Sequence, residues 1–364
     1  MISIANVTAT PLDIELTEPF GIATGAQHVA ANVLVTLTLS DGTTGTGEAA
    51  PFPAVNGETQ SAVLDALTFA GASLSGLDAL RWRPAVGIAE YALRGTPSAL
   101  AAFESALFDA LCRRAGISLW AFFGGAETEL ISDITIPTGS AEHARKAALR
   151  AVSAGFTTLK IKVGGASFDQ DRMRLEAIVA AAPQARLVLD ANASLSAAEA
   201  LALLDALGHD KGQVALFEQP TAKLDLDGLR QVREQGGVPI AADESACSAA
   251  DVLSLIAARA VDAINIKTMK CGIVEAMAMI AVARSAGLGL MIGGMVESKL
   301  AMTVSACLAA GMGGFAHVDL DTPWFMKDAP IHGGWLERGA TLRLDQIAAG
   351  HGVTCSLPAS AVRS

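Results

Sequence analysis

The chain has 364 residues, is 51% hydrophobic and only 17% charged, and carries a net charge of −11. That composition excludes a disordered or fibrous chain and fits one large barrel with an addition, or two domains. No Lys/Arg-rich run, no stretch of ~18 consecutive apolar residues and no signal-peptide pattern in MISIANVTATPLDIEL appears, so neither nucleic acid nor membrane is an expected partner.

Segments 2–14 and 31–48 alternate apolar and polar residues, are rich in β-branched side chains and contain a turn at Asp41-Gly42. They predict antiparallel strands and a hairpin. Ala- and Leu-rich helical segments follow at 59–74 and 97–113, the second with Ser98 as its expected N-cap. Residues 1–125 thus read as an α+β domain. From 131 onward the rhythm becomes strand, turn, helix, repeated. Strand-like runs fall at 131–137, 157–163, 185–190, 214–218, 238–243, 262–267, 288–292 and 315–320. Helical stretches lie between them, as at 140–154, 168–182, 196–207 and 272–286. Continuous apolar strands are those covered by helices. The pattern predicts an α/β fold, a (β/α)7β-type modified TIM barrel over 126–324, with 325–364 packing back on the N-terminal domain.

Five scattered cysteines without a C-x-x-C pair argue against a disulfide framework or zinc and fit a cytoplasmic protein. The six histidines form no H-x-x-H pair and read as structural or surface residues.

The chemistry collects at the strand ends. Asp190, Glu218 and Asp243 follow successive apolar runs, with Lys160 and Lys162 before them and Lys267 after. The intervals 190−160 = 30, 218−190 = 28, 243−218 = 25 and 267−243 = 24 suit βα units, whose strand ends share one mouth. Lys160 and Lys162, two apart in a strand, share an inward face. Crowded ammonium groups lower each other's pKa, which suits a general base. Three carboxylates without His or Cys select Mg²⁺, with Mn²⁺ the alternative. Metal-assisted removal of a proton is the implied chemistry.

The motifs KIKVGG, LDAN, FEQP, ADES and NIKTMKCG resemble those of the enolase superfamily, in its muconate-lactonizing-enzyme subgroup. GEAAPFP at 47–53 extends the resemblance into the N-terminal half. Mandelate racemases would place a His base after strand 7, where this chain has MIGGMVES, with Met295 expected at the substrate. The resemblance implies a lysine base and one Mg²⁺ per site. Within the subgroup, FAHVDLDTP resembles dipeptide epimerases: Asp319 and Asp321 would hold a substrate's free α-ammonium. The metal and Lys160 would stabilise charge on the substrate carboxylate, while Lys162 and Lys267 exchange protons on opposite faces of the α-carbon. Thr135 would hydrogen-bond the substrate.

Phe20, Ile22 and Gly25 mark a lid segment without Lys or Arg, and Pro51–Gly57 is uncharged. An uncharged lid favours hydrophobic dipeptides such as L-Ala-L-Phe over Ala-Glu. An N-acylamino acid racemase, an o-succinylbenzoate synthase or a cycloisomerase is the alternative within the subgroup. A non-catalytic binding protein is the alternative outside it. The sequence leaves open whether the chain forms a homo-oligomer.

Overall fold

A computed structural model describes residues 1–22, 25–165, 167–327 and 329–356. Three antiparallel strands open the chain: β1 (Ile4–Ile22), β2 (Gly25–Leu39) and β3 (Thr44–Ala49). The turn at Asp41-Gly42 forms as expected, with Gly42 at φ 88°. The segment read as a lid loop is instead the tip of the long β1–β2 hairpin, which pairs as far as Ile22 with Gly25. The side chains of Phe20 and Ile22 and the surroundings of Gly25 lie outside the described residues.

Helices α1 (Pro53–Asn56), α2 (Gln60–Leu74), α3 (Trp82–Ala92), α4 (Pro97–Ala115) and α5 (Leu119–Phe122) follow. Most of α4 is buried, packed over β3. A Cβ on Gly47 would sit 2.1 Å from the Ala102 carbonyl oxygen, so glycine there lets strand and helix touch. Ser98 does not cap α4. The cap position is Thr96, Pro97 starts the helix, and the Ser98 N–H donates to Glu58 at 3.2 Å. A carboxylate from the loop between α1 and α2 has taken the role given to a local hydroxyl.

A short β4 (Glu129–Ile131) leads into the barrel. Its strands are β5 (Ile134–Ile136), β6 (Thr158–Lys162), β7 (Arg186–Asp190), β8 (Val214–Glu218), β9 (Ile240–Ala242), β10 (Ala263–Ile266), β11 (Gly289–Ile292) and β12 (His317–Val318). They form one parallel sheet in sequence order. Each of the eight lies inside the run expected for it. The sheet closes at a seam where Asp133 N–H donates to the Val318 carbonyl at 2.8 Å and Leu320 N–H to Ser132 Oγ at 3.1 Å.

Seven helices cover the barrel: α6 (Ala141–Ser153), α7 (Phe168–Ala181), α8 (Ala197–Ala206), α9 (Leu226–Gly236), α10 (Ala249–Ala258), α11 (Ile273–Ser285) and α12 (Lys299–Met312). The eighth is reduced to a 3₁₀ turn at Thr322–Phe325. Ser140, Ser167, Ser196, Asp225, Ser248 and Ser298 each accept an N–H of the helix they open, satisfying a donor that lacks an intrahelical partner. Helix α11 starts after Gly272 and has no such cap. Glu104 of α4 supplies it, accepting from Ile273 and Val274 N–H.

Strands β13 (Ile331–Gly333), β14 (Leu336–Arg338), β15 (Thr341–Arg343) and β16 (Val353–Cys355) end the fold. Ile331 and Val353 share a hydrophobic cluster with Leu12, Ile14 and Leu16 of β1, and β15 pairs with β4.

Candidate active site

The alternation of β6 decides which side chains reach the barrel interior. Leu159 and Ile161 join the hydrophobic layer under the helices, and Lys160 and Lys162 face inward, 1% and 5% exposed. Below them, Val188, Leu216, Ala241, Ala263 and Met291 form a small apolar plug. Above it stand charges. Asp190 ends β7, Glu218 ends β8, Asp243 follows β9 and Lys267 follows β10, all buried. In an eight-stranded ring β6 and β10 are opposite, and so are β8 and β12. The Lys162–Lys267 axis therefore crosses the line from Glu218 to Asp319.

The lysines and acids are in direct contact. Lys160 Nζ lies 2.6 Å from Asp319, 2.7 Å from Glu218 and 3.0 Å from Asp190. Lys162 Nζ is 2.6 Å from Asp190, and Lys267 Nζ 2.6 Å from Asp243. Thr135 N–H donates to Asp321 Oδ2 at 2.5 Å. Thr135, Lys160, Lys162, Asp243, Lys267, Met295, Asp319 and Asp321 all line one cavity. Asp190 and Glu218 lie just behind it, touching Lys160. Every residue expected at the site with a described side chain is brought together.

Burial and charge compete at each acid. Burial would raise Asp190 and Asp243, but the neighbouring lysines outweigh it and hold both below the usual carboxylate range. Burial pushes Glu218 up to about 7, with Asp190 adding to the rise. Burial and then Asp319 push Asp321 up to about 7. Lysine behaves differently from the expectation. Crowding alone predicts a lowered ammonium pKa, yet Lys160 and Lys267 are both raised. Burial pulls each down, but paired carboxylates outweigh it, Asp190 foremost for Lys160 and Asp243 for Lys267. Opposite charges at 2.6–3.0 Å dominate over the like charge of a neighbouring lysine.

Sequence reading missed several members. Lys270 Nζ donates to Asp243 Oδ1 and the Asp243 carbonyl at 2.7 Å and to the Asn265 carbonyl at 2.9 Å. Asn265 Nδ2 donates to Glu218 at 2.6 Å. Glu297 accepts the Met295 N–H at 2.7 Å, and burial pushes its carboxyl up to about 8. Asp133, 2% exposed, stands beside Asp319 and Asp321. Its signal was available: in the run 131–137, Asp133 and Thr135 are two apart and share a strand face.

The charge balance bears on a metal. Asp133, Asp190, Glu218, Asp243, Glu297, Asp319 and Asp321 are buried, and Glu244 is half-buried. Against them stand Lys160, Lys162, Lys267 and the half-buried Lys270. Carboxyls outnumber ammonium groups, so the site has room for further positive charge. Asp190, Glu218 and Asp243 offer only oxygen, the donor set of a hard divalent cation. Among the described residues a different carboxylate cluster, Asp133 with Asp319 and Asp321, has oxygens that lie within 4.8 Å of one another.

Comparison with known proteins agrees with this architecture. Residues 4–124 match the mandelate racemase / muconate lactonizing enzyme N-terminal domain, and 143–359 match the enolase C-terminal domain-like family. An aromatic dipeptide epimerase of Herpetosiphon aurantiacus is 46% identical over 96% of this chain and 98% of its own. A hydrophobic dipeptide epimerase of Citrifermentans bemidjiense is 37% identical over 96% of this chain and 97% of its own. A crystal structure of a dipeptide epimerase from Enterococcus faecalis V583, complexed with Mg and L-Leu-L-Tyr, superposes with TM-score 0.93 at 34% identity, covering 97% of this chain and 99% of that one. Fold, strand-end residues and these matches together make the chain a member of the mandelate racemase / muconate lactonizing enzyme family, with an enolase C-terminal domain-like barrel.

Proposed function

We propose that the protein is a dipeptide epimerase, an isomerase that inverts the α-carbon of the C-terminal residue of dipeptides with a hydrophobic second side chain. The observation that carries the reading is the pair Lys162 and Lys267, on opposite strands across one cavity with acids at both ends of the perpendicular axis. One amine takes the α-proton and the other returns a proton from the opposite face. Lys160 stabilises the charge that grows on the substrate carboxylate. Asp319 and Asp321 hold the N-terminal ammonium, and Thr135 orients the backbone between them.

Asp190, Glu218 and Asp243 would hold Mg²⁺, with Mn²⁺ as a substitute. When bound, it would anchor the substrate carboxylate and offset the negative charge around the lysines. The relative from Enterococcus faecalis, with Mg and L-Leu-L-Tyr bound, supports this cofactor and substrate class. Phe52, Val55, Met295, Val296 and Met302 give the cavity an apolar wall, which suits L-Ala-L-Phe better than Ala-Glu. Residues 1–125 serve as the capping and specificity unit and 126–324 as the catalytic barrel, and the described part of the closing segment, through Ile331 and Val353, packs back on the capping unit. Among the described residues no helix is long and apolar enough to cross a membrane. Unbridged Cys112, Cys247, Cys271 and Cys307 support a reducing, cytoplasmic setting.

The test is incubation of L-Ala-L-Phe with enzyme and Mg²⁺ in D₂O, read by mass spectrometry and NMR. Deuterium at the C-terminal α-carbon together with the L,D product is expected. A dipeptide panel that shows neither would overturn the reading.

A further inference from the structure

Asp133 has no part in the mechanism above, yet it is the least satisfied acid of the barrel. It is 2% exposed, and among the described residues neither of its carboxyl oxygens has a hydrogen-bond partner. A buried polar group left without a partner is costly. Its position follows from the seam. Asp133 N–H is fixed to the Val318 carbonyl, Ser132 Oγ accepts Leu320 N–H, and Asp321 accepts Thr135 N–H. These three bonds stitch residues 132–135 to 318–321 and press the Asp133 side chain against Asp319 and Asp321.

One oxygen from each of the three acids lies within 4.8 Å of the others. A triangle of that side has all its corners no more than 4.8/√3, or about 2.8 Å, from a common centre, which is an N–H···O hydrogen-bond distance. An ammonium has three donors and no acceptor. Lys160 already meets Asp319 on one side, and Thr135 N–H meets Asp321. Asp133 brings the acceptors still without a partner. Its burial, and then Asp319 and Asp321, also hold its carboxyl well above the usual range, as expected of an acid cluster short of one cation.

We infer that Asp133 is the third carboxylate of the substrate-ammonium site and sets the preference for a free N-terminal amine over an acylated or amine-free substrate. The inference rests on the epimerase reading and extends it to a residue behind the cavity wall. It also gives the start of the barrel a part in specificity: Asp133 just ahead of β5 and Thr135 within it lie two residues apart, so one short segment addresses both the ammonium and its principal partners.

The experiment compares binding of L-Ala-L-Phe and of N-propionyl-L-phenylalanine, which lacks only the ammonium, to the Mg²⁺-loaded enzyme by calorimetry. Wild type is expected to favour the dipeptide. Asp133→Asn should cut that preference at least about ten-fold, with the affinity for the propionyl compound changed by no more than about two-fold. Equal weakening of both ligands marks a merely structural role and overturns the inference, and an unchanged preference does the same. Asp133→Glu, which keeps the charge on a longer arm, is the second variant should Asn fail to fold, and an undiminished preference there overturns the inference equally. Loss of a second divalent ion from Asp133→Asn with dipeptide affinity intact would make the cluster a metal site and sink it too. Failure of wild type to turn over any dipeptide is a separate result and strikes the epimerase reading instead.

Discussion

Glu48 of β3 holds Ser298 of the barrel. Its carboxylate accepts the Ser298 N–H at 2.9 Å and the Ser298 hydroxyl, together with Ala301 N–H at 3.1 Å and Asn32 Nδ2 at 2.6 Å. The N-terminal domain thus caps α12 across the domain boundary, as Glu104 caps α11. Both helix starts end loops that carry site residues: Met295 and Val296 before Ser298, Lys267 and Lys270 before Ile273. Glu48→Ala strands four buried donors. The expected cost is about 3–5 kcal/mol in urea unfolding, with a raised KM because the Met295 wall loses its anchor. Loss of stability without a KM change would separate the cap from the pocket.

Lys162→Ala and Lys267→Ala should each abolish epimerisation. A single remaining base can still wash deuterium into the isomer it faces, so one variant is expected to exchange the L,L and the other the L,D dipeptide. NMR on both diastereomers in D₂O checks this. Turnover at the wild-type rate in either variant would remove the two-base assignment.

Lys270 touches Asp243 but does not line the main cavity. It therefore acts through the carboxylate's orientation. Lys270→Met should weaken Mg²⁺ binding about 10- to 100-fold, the usual range for a group that orients a metal ligand. Saturating Mg²⁺ should restore most of kcat, measured by metal titration of the rate.

How much of this was legible follows from the range of the interactions. The strands, the inward pair Lys160 and Lys162 and the acids at strand ends repeat local rules of period and spacing, so they could be read from residues a few positions apart. The helical stretches at 140–154, 168–182, 196–207 and 272–286 were likewise local, and α6, α7, α8 and α11 start within one residue of them. Glu48 and Glu104 could not be read this way, because their partners lie 250 and 169 residues away. The direction of the lysine shifts escapes local reading for the same reason: it depends on which acids the closed barrel brings within 3 Å. Ser98 fails as a cap because the helix already starts at Pro97, and its N–H is taken by Glu58, 40 residues earlier. The hairpin tip reads as a loop because its Gly- and Ala-rich sequence lacks the branched alternation of a strand.

The hairpin tip also frames a specificity test. Gly25 pairs with Ile22 at the end of β1 and β2, and the segment 19–27 carries no charge. Gly25→Arg should raise kcat/KM for L-Ala-L-Glu relative to L-Ala-L-Phe by about ten-fold, since a charged partner discriminates more than an added methylene. An unchanged ratio would remove the hairpin from the substrate pocket.

Glu104 offers a pH test with a definite sign. Burial pushes its carboxyl up to about 8, against its two helix N–H donors, which pull the other way. In the unfolded chain the same group ionises near 4.5. Below that value both states are protonated and nothing is lost. As pH rises from 4.5 toward 8 the unfolded state releases its proton first, so the contribution of Glu104 to stability falls and then levels off. The variant Glu104→Gln has no such proton. Its stability relative to wild type should therefore climb between about pH 5 and about 8 and flatten above, by roughly 5 kcal/mol at most. Urea unfolding at a series of pH values measures the difference directly, and acids elsewhere cancel because both proteins carry them. A difference that stays flat across this range would mean that Glu104 is ionised in the fold, with the two α11 donors and the helix dipole outweighing its burial.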